Sequence, residues 1–264
     1  MKTSNQIKHI PPDMSKLPGG WLTSFNFSFS CNPLKQPKVL SYNKDTVHYV
    51  LNFVAGSCLN ELTLKILNDA PKMAPVSIQG YQSNTSETVG SHRVTMFNEG
   101  LARSFELLFD DINFPKKRVM NEFTPTDWWQ NDKNRREWEY VGVSPLLRFM
   151  SYSSGGRHFT HYDAGFIYPD DNFRTLMSFV LYLTTNNSGQ TRIIDDKQNN
   201  LPVWDRNHND WTRETKKEEV LLNFFPTQGD VLIFDHRVAH DVSKFTNEGF
   251  RNIIRGDLIF KSKK

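Results

Sequence analysis

From Pro145 onward, short apolar runs alternate with turn residues. The runs are LLRFMSY, HFTHYDAGFIY, LMSFVLYLT, TRIID, EEVLLNFF, DVLIFD and RNIIRGDLIF. Each is of strand length, and most are bounded by Gly, Pro, Asn or Asp. Many short strands at this spacing predict a β-sandwich or barrel. The front of the chain has a different texture. Residues 1–20 carry three Pro and two Gly and read as an irregular arm, and KVLSY at 38–42 reads as a strand. Apolar positions over 46–70 and again over 99–110 recur at helical spacing, with Gly56 interrupting the first run. Residues 121–139, rich in Trp and charge, read as loop, and 186–217 as a large polar surface insert. No linker rich in Gly, Ser or Pro separates the parts. The expectation is one α+β domain, with a helical support region over 1–140 and a β core over 141–264.

Composition narrows the function classes. The 264 residues carry 32 Lys plus Arg against 29 Asp plus Glu, a balance of +3. That leaves no basic footprint for nucleic acid. No run of about 18 apolar residues marks a membrane span, and the first 15 residues lack the apolar stretch of a signal peptide. A cytoplasmic protein is therefore expected. Two cysteines, Cys31 and Cys58, are too few for a disulfide framework or a cysteine zinc site, and reduced thiols are expected.

Two H-x-D triplets stand out, His161-Tyr162-Asp163 and His208-Asn209-Asp210. On a strand, residues i and i+2 share a face, so one imidazole and one carboxylate can meet at one ion. A His from a distant strand would complete a facial triad that leaves open positions on Fe(II). The triplet alone is weak evidence. His208 and Asp210 lie in a polar, loop-like stretch and read as solvated surface. His161 and Asp163 lie between apolar strand segments and are followed by the small Ala164 and Gly165. The distal candidate is His240, at the end of GDVLIFDHRVAH. Eleven residues later Arg251 offers a planar fork suited to a carboxylate.

Taken in order, these residues resemble the Fe(II)/2-oxoglutarate-dependent dioxygenases, most closely the prolyl 4-hydroxylase-like branch. Leu147 to Tyr152 with Gly155 and Gly156 is similar to the strand and turn before the first ligand. His161 and Asp163 match the H-x-D. Leu181-Tyr182-Leu183 and then Gly189-Gln190-Thr191-Arg192 are similar to the strand and turn that follow, with Gln190 where many relatives have a second Gly. Pro226, Gly229, Asp230, Leu232, Phe234 and His240 resemble the approach to the distal His. Gly249, Arg251, Arg255 and Asp257 resemble the closing strand. The likeness covers about 140–260; residues 1–110 match only loosely, through 91–102, where an Arg can face the substrate.

The resemblance implies a double-stranded β-helix, a cupin-like jelly roll, over supporting N-terminal helices. It implies Fe(II) held by His161, Asp163 and His240, with 2-oxoglutarate and O₂ as co-substrates and ascorbate as a stimulant. Arg251 matches the oxoglutarate-binding position best, Arg255 competes for it, and Tyr152 either hydrogen-bonds the co-substrate or packs in the core. His236 is expected to support the site. Arg93, Arg148 and His158 are substrate-contact candidates. Trp128, Trp129 and Trp138 form either a lid or a core cap. Asp rather than Gly at 163 argues for hydroxylation over halogenation. The expected reaction is hydroxylation of an unactivated C–H bond of a free amino acid or small metabolite, with a prolyl or other residue of a peptide as the alternative substrate. A non-catalytic or other-metal cupin-like binding protein stays open, and nucleic-acid demethylation is a weaker reading.

Overall fold

A computed structural model of the chain describes residues 21–22, 37–42, 46–69, 74–75, 91–121, 135–163, 165–168, 172–197 and 213–263. The arm over 1–20, Trp128, Trp129, Ala164, His208, Asp210 and the middle of the polar insert lie outside these residues.

Eight strands build the core: β8 (Leu146–Tyr152), β9 (His158–His161), β10 (Phe173–Tyr182), β11 (Thr191–Ile194), β12 (Val220–Phe224), β13 (Val231–Asp235), β14 (His240–Val242) and β15 (Arg251–Lys263). They divide between two antiparallel sheets. The larger contains the order β8-β15-β10-β13, and the smaller is β12-β11-β14-β9. Most successive strands therefore cross from one sheet to the other, which is the winding of a jelly roll. The predicted β core is this double-stranded β-helix.

The front of the chain widens the larger sheet. Strand β3 (Val47–Leu51) pairs with β13, β2 (Lys38–Tyr42) with β3, and β5 (Ser91–Phe97) with β8. Beyond β5 lie β1 (Trp21–Leu22) and β4 (Ala74–Pro75), while β6 (Lys117–Asn121) pairs with β7 (Arg135–Val143), which pairs with β15. Helices α1 (Gly56–Asp69) and α2 (Glu99–Asp110) contribute Leu59, Leu62, Leu101, Phe105 and Phe109 to a cluster with Leu147, Phe149, Phe179 and Ile254 from one face of that sheet. The other face looks into the roll, where Met150, Tyr152, Val180, Tyr182 and Ile253 pack with Ile193 and Val242 of the small sheet. The two residue sets alternate along β8, β10 and β15, as the period of two requires.

Helix α2 occupies the span its spacing predicts, and the side chain of Asn98 caps it by accepting from the Leu101 amide at 2.9 Å. The other predicted helix is shorter than expected. Val47–Leu51 is a strand, and the chain turns at Asn52, whose φ is +54°, before α1 begins at Gly56. Four successive buried residues, Val47 to Val50, suit a strand covered on both faces, which apolar spacing alone does not separate from a helix. The region 121–139 also differs: β7 starts at Arg135. Trp138 is buried in the core cluster, so it caps the core.

The expectation of reduced thiols is corrected, because Cys58 is disulfide-bonded. Cys31 is the only other cysteine in the chain and lies outside the described residues. A disulfide fits an oxidising compartment better than the cytoplasm. Among the described residues no helix is long and apolar enough to cross a membrane.

Candidate metal centre

The small sheet supplies both imidazoles. Strands β9 and β14 pair antiparallel with His161 directly across from His240. Each imidazole Nδ1 lies against a main-chain carbonyl two residues back, Phe159 O at 2.8 Å and Val238 O at 3.0 Å. A proton on Nδ1 donates to that carbonyl, and the lone pair is then left on Nε2. Both Nε2 atoms face Asp163, at 3.8 Å from one carboxylate oxygen each. Asp163 lies two residues past the end of β9, so the H-x-D spacing is realised across a strand end rather than along the strand. The three donor atoms lie within 4.8 Å of one another. An ion bound at about 2.1 Å to each of three cis donors needs them about 3 Å apart. Small side-chain rotations close the difference. Two imidazole nitrogens and one carboxylate oxygen fit a first-row transition ion with open positions, Fe(II) among them.

Protonation favours the same use. Burial first, and His240 second, push His161 down to about 4. Burial likewise lowers His240. Both rings are neutral at pH 7 and able to donate a lone pair. For Asp163, burial opposes ionisation, but the Arg255 guanidinium and then the nearby histidines hold the carboxyl well below its usual range.

Strand β15 supports the carboxylate. Arg255 Nε donates to Asp163 Oδ2 at 3.0 Å, and its Nη2 lies 3.0 Å from Oδ1. Ser178 Oγ donates to Oδ2 at 2.5 Å. Arg255 Nη2 also reaches Asp257 Oδ1 at 3.1 Å, and Asp257 further holds Arg148 Nη1 at 3.2 Å and His236 Nε2 at 3.2 Å. Arg255 is thus engaged with the metal-site carboxylate, and His236 supports the site through Asp257. Ser178 was not singled out from the sequence. Its only signal is one small polar residue in the otherwise aliphatic and aromatic run LMSFVLYL.

Arg251 lies four residues back along β15, at the other end of the interior. It is fully buried. Its Nη2 donates to Thr191 Oγ1 at 2.9 Å, while Nε and Nη1 have no hydrogen-bond partner among the described residues. Its carbon centre lies 4.8 Å from the ring of Tyr152 and 5.7 Å from that of Tyr182. Two buried donors of a guanidinium without acceptors are costly; a carboxylate facing the end of the guanidinium would accept from Nη1 and from the second hydrogen of Nη2, a two-bond fork that leaves Nε outside it. Gly189 makes this placement possible: its φ is +68°, and a Cβ there would lie 2.9 Å from Arg251 Cδ. Tyr152 hydroxyl lies 4.0 Å from Met150 Sδ, and the Arg251 guanidinium beside it partly offsets the rise that burial gives its pKa.

Of the substrate candidates, His158 stacks on His161 with ring centres 4.0 Å apart, and its buried Nε2 has no hydrogen-bond partner among the described residues. Arg148 is tied to Asp257. Arg93, on β5 across from Met150, makes no hydrogen bond or ion pair among the described residues.

No family model matches the chain, and no curated protein matches it. Solved structures similar to it include a Pseudomonas putida prolyl-4-hydroxylase, at 16% identity and TM-score 0.47 over 83% of this chain and 94% of that one. A Trichoplax adhaerens prolyl hydroxylase, solved with a hypoxia inducible factor oxygen degradation domain peptide, is 14% identical with TM-score 0.49, covering 81% of this chain and 84% of that one. HygX from Streptomyces hygroscopicus, solved with nickel and 2-oxoglutarate, is 9% identical with TM-score 0.47, over 82% and 83%. Likeness at this level transfers no activity to this chain; the site's own geometry has to carry the function.

Proposed function

We propose that this chain is an Fe(II)- and 2-oxoglutarate-dependent oxygenase that hydroxylates an unactivated C–H bond of a small, amino acid-like molecule. One arrangement supports the reading: two neutral imidazoles and a carboxylate converge on one point, with an unsatisfied, fully buried guanidinium in the same interior. A metal-only binding protein has no use for Arg251 in that state.

A ferrous ion with 2-oxoglutarate supplies the oxygen chemistry, which couples oxidative decarboxylation to succinate and CO₂ with hydroxylation of the substrate. The protein's part is placement. His161, Asp163 and His240 hold the metal. Ser178 and Arg255 fix the Asp163 carboxylate, and the Phe159 and Val238 carbonyls fix both imidazole tautomers. Arg251 takes the far carboxylate of 2-oxoglutarate, backed by Thr191 and stacked between Tyr152 and Tyr182. The aromatic and aliphatic interior excludes water, which strengthens each of these contacts.

The test uses purified protein with Fe(II) and 2-oxoglutarate. Without oxygen, the pair should give a visible charge-transfer absorbance. With oxygen and substrate, succinate should form. Asp163→Ala should lose both. Succinate formation undiminished in that variant refutes the assignment, and metal binding without any response to 2-oxoglutarate returns the chain to the class of non-catalytic cupin-like proteins.

A further inference from the structure

The face of the large sheet that looks into the roll carries an unusual number of guanidinium groups. Along β15 the alternation puts Arg251, Ile253 and Arg255 on this face, since Ile253 packs in the interior cluster. On β8, Tyr152 is across from Arg251 and Arg148 across from Arg255. On β5, Thr95 is across from Arg148 and Arg93 across from Met150, itself an interior residue. Arg93, Arg148, Arg251 and Arg255 therefore line one wall.

Three of the four have assigned partners. Arg255 holds Asp163 and Asp257. Arg148 shares Asp257. Arg251 is set for the co-substrate in the reading above. The formal charges of a ferrous ion and 2-oxoglutarate cancel, so loading the site does nothing for Arg93. That residue is half-buried and has no carboxylate partner among the described residues. Burial first, and then the repulsion of Arg148 and Arg255, lower its proton affinity, with Tyr152 opposing them. A cation held beside two like charges without a partner is costly, and an anion arriving there repays it.

We infer that Arg93 is the anchor for a carboxylate of the primary substrate, so the enzyme selects free carboxylic acids of amino-acid size and rejects internal residues of a peptide. This rests on the oxygenase reading and adds the substrate class to it. A single guanidinium fork matches a planar carboxylate. Strand β5 lies two strands from β15, about 10 Å at the usual spacing. Arg255, which holds the metal-site carboxylate, stands on β15, so Arg93 faces the metal centre across the width of β8.

The probes are the twenty free L-amino acids, their carboxamides, and an end-blocked proline-containing peptide. Each is titrated anaerobically into protein loaded with Fe(II) and 2-oxoglutarate, and binding is read by calorimetry and by perturbation of the charge-transfer band. At least one free acid should bind, and at least tenfold tighter than its own amide. Arg93→Gln should weaken the acid tenfold or more and erase its advantage over the amide, and Arg93→Lys should restore part of it. The Arg93→Gln protein should keep the Fe(II)-2-oxoglutarate band, which separates a lost subsite from a misfolded chain. The inference is overturned if no free acid binds, if amide or blocked peptide binds as well as the acid, or if Arg93→Gln keeps the discrimination. Failure of the band to form in wild-type protein instead sinks the oxygenase reading, and calorimetry of acid against amide still decides the subsite.

Discussion

Replacing Arg251 with Met should move stability and co-substrate binding in opposite directions. In the metal-free protein the fully buried guanidinium leaves Nε and Nη1 without acceptors. Unsatisfied buried donors cost about 1–3 kcal/mol each, so removing both relieves roughly 2–6 kcal/mol. Against this stand the bond to Thr191, about 1 kcal/mol, and stacking on Tyr152 and Tyr182, roughly 1–2 kcal/mol together at the lower range for such contacts. The net runs from about 1 kcal/mol against Met to about 4 kcal/mol in its favour. At roughly 2–4 °C per kcal/mol for a chain of this size, the metal-free Tm should fall by no more than about 4 °C and on balance rise. Binding should collapse, because two charge-assisted hydrogen bonds to 2-oxoglutarate are lost at about 1.5–3 kcal/mol each, on the order of 10²- to 10⁴-fold in affinity. Thermal melts of metal-loaded protein give the readout. At a 2-oxoglutarate concentration about 100 times the wild-type Kd, the ligand adds roughly 2.7 kcal/mol to wild type. The same concentration should add about 0.4 kcal/mol or less to the variant. A variant that melts well below wild type yet keeps the full 2-oxoglutarate shift would show that Arg251 is a structural core residue.

Other expectations concern the supporting shell and protons. Asp257→Asn removes the carboxylate that Arg148, Arg255 and His236 share, leaving buried charge uncompensated, and should cost about 3–5 kcal/mol in a denaturant melt; a loss under about 1 kcal/mol contradicts the network. Gly189→Ala puts a Cβ at φ +68° and 2.9 Å from Arg251 Cδ; stability should fall by about 1–3 kcal/mol, with a raised KM for 2-oxoglutarate, and an unchanged KM counts against the packing described. The metal-free protein should lose stability as pH falls from about 6.5 to 4. In that window unfolded chains protonate His161 while the folded ring, pushed down to about 4, does not. The loss from this residue alone is roughly 3 kcal/mol, and His161→Asn should flatten the slope of Tm against pH; a slope that His161→Asn leaves unchanged removes the assigned cause.

Most of the β core was readable because most strands of the roll are short and punctuated by turn residues, from LLRFMSY to RNIIRGDLIF. Helix α2 was equally legible from its apolar spacing. Strand β3 was not, because four successive residues buried on both faces leave no period of two, and their apolar positions fit a doubly covered strand and a buried helix alike. Strand β7 hid behind charged residues that pattern reading assigns to loops. At the site, His161, Asp163 and His240 stood out by order and context, and the cross-strand pairing of His161 with His240 brings them together. The competition between Arg251 and Arg255 had no resolution in one dimension, since residues four apart on a strand share a face.

Sequence by itself determined which groups were available: two histidines, an aspartate and a pair of arginines on one strand, in an order that a jelly roll can gather. Tertiary structure alone decided their engagements. Asp163 just past β9, Ser178 of β10 and Asp257 of β15 occupy Arg255, whereas the bend at Gly189 lets Arg251 lie buried with two donors unpartnered among the described residues. Arg93 acquired its meaning only when β5 joined the large sheet beside β8. The reason is physical: a side chain's charge and donors are intrinsic to the residue, but whether they are satisfied depends on atoms that are distant along the chain.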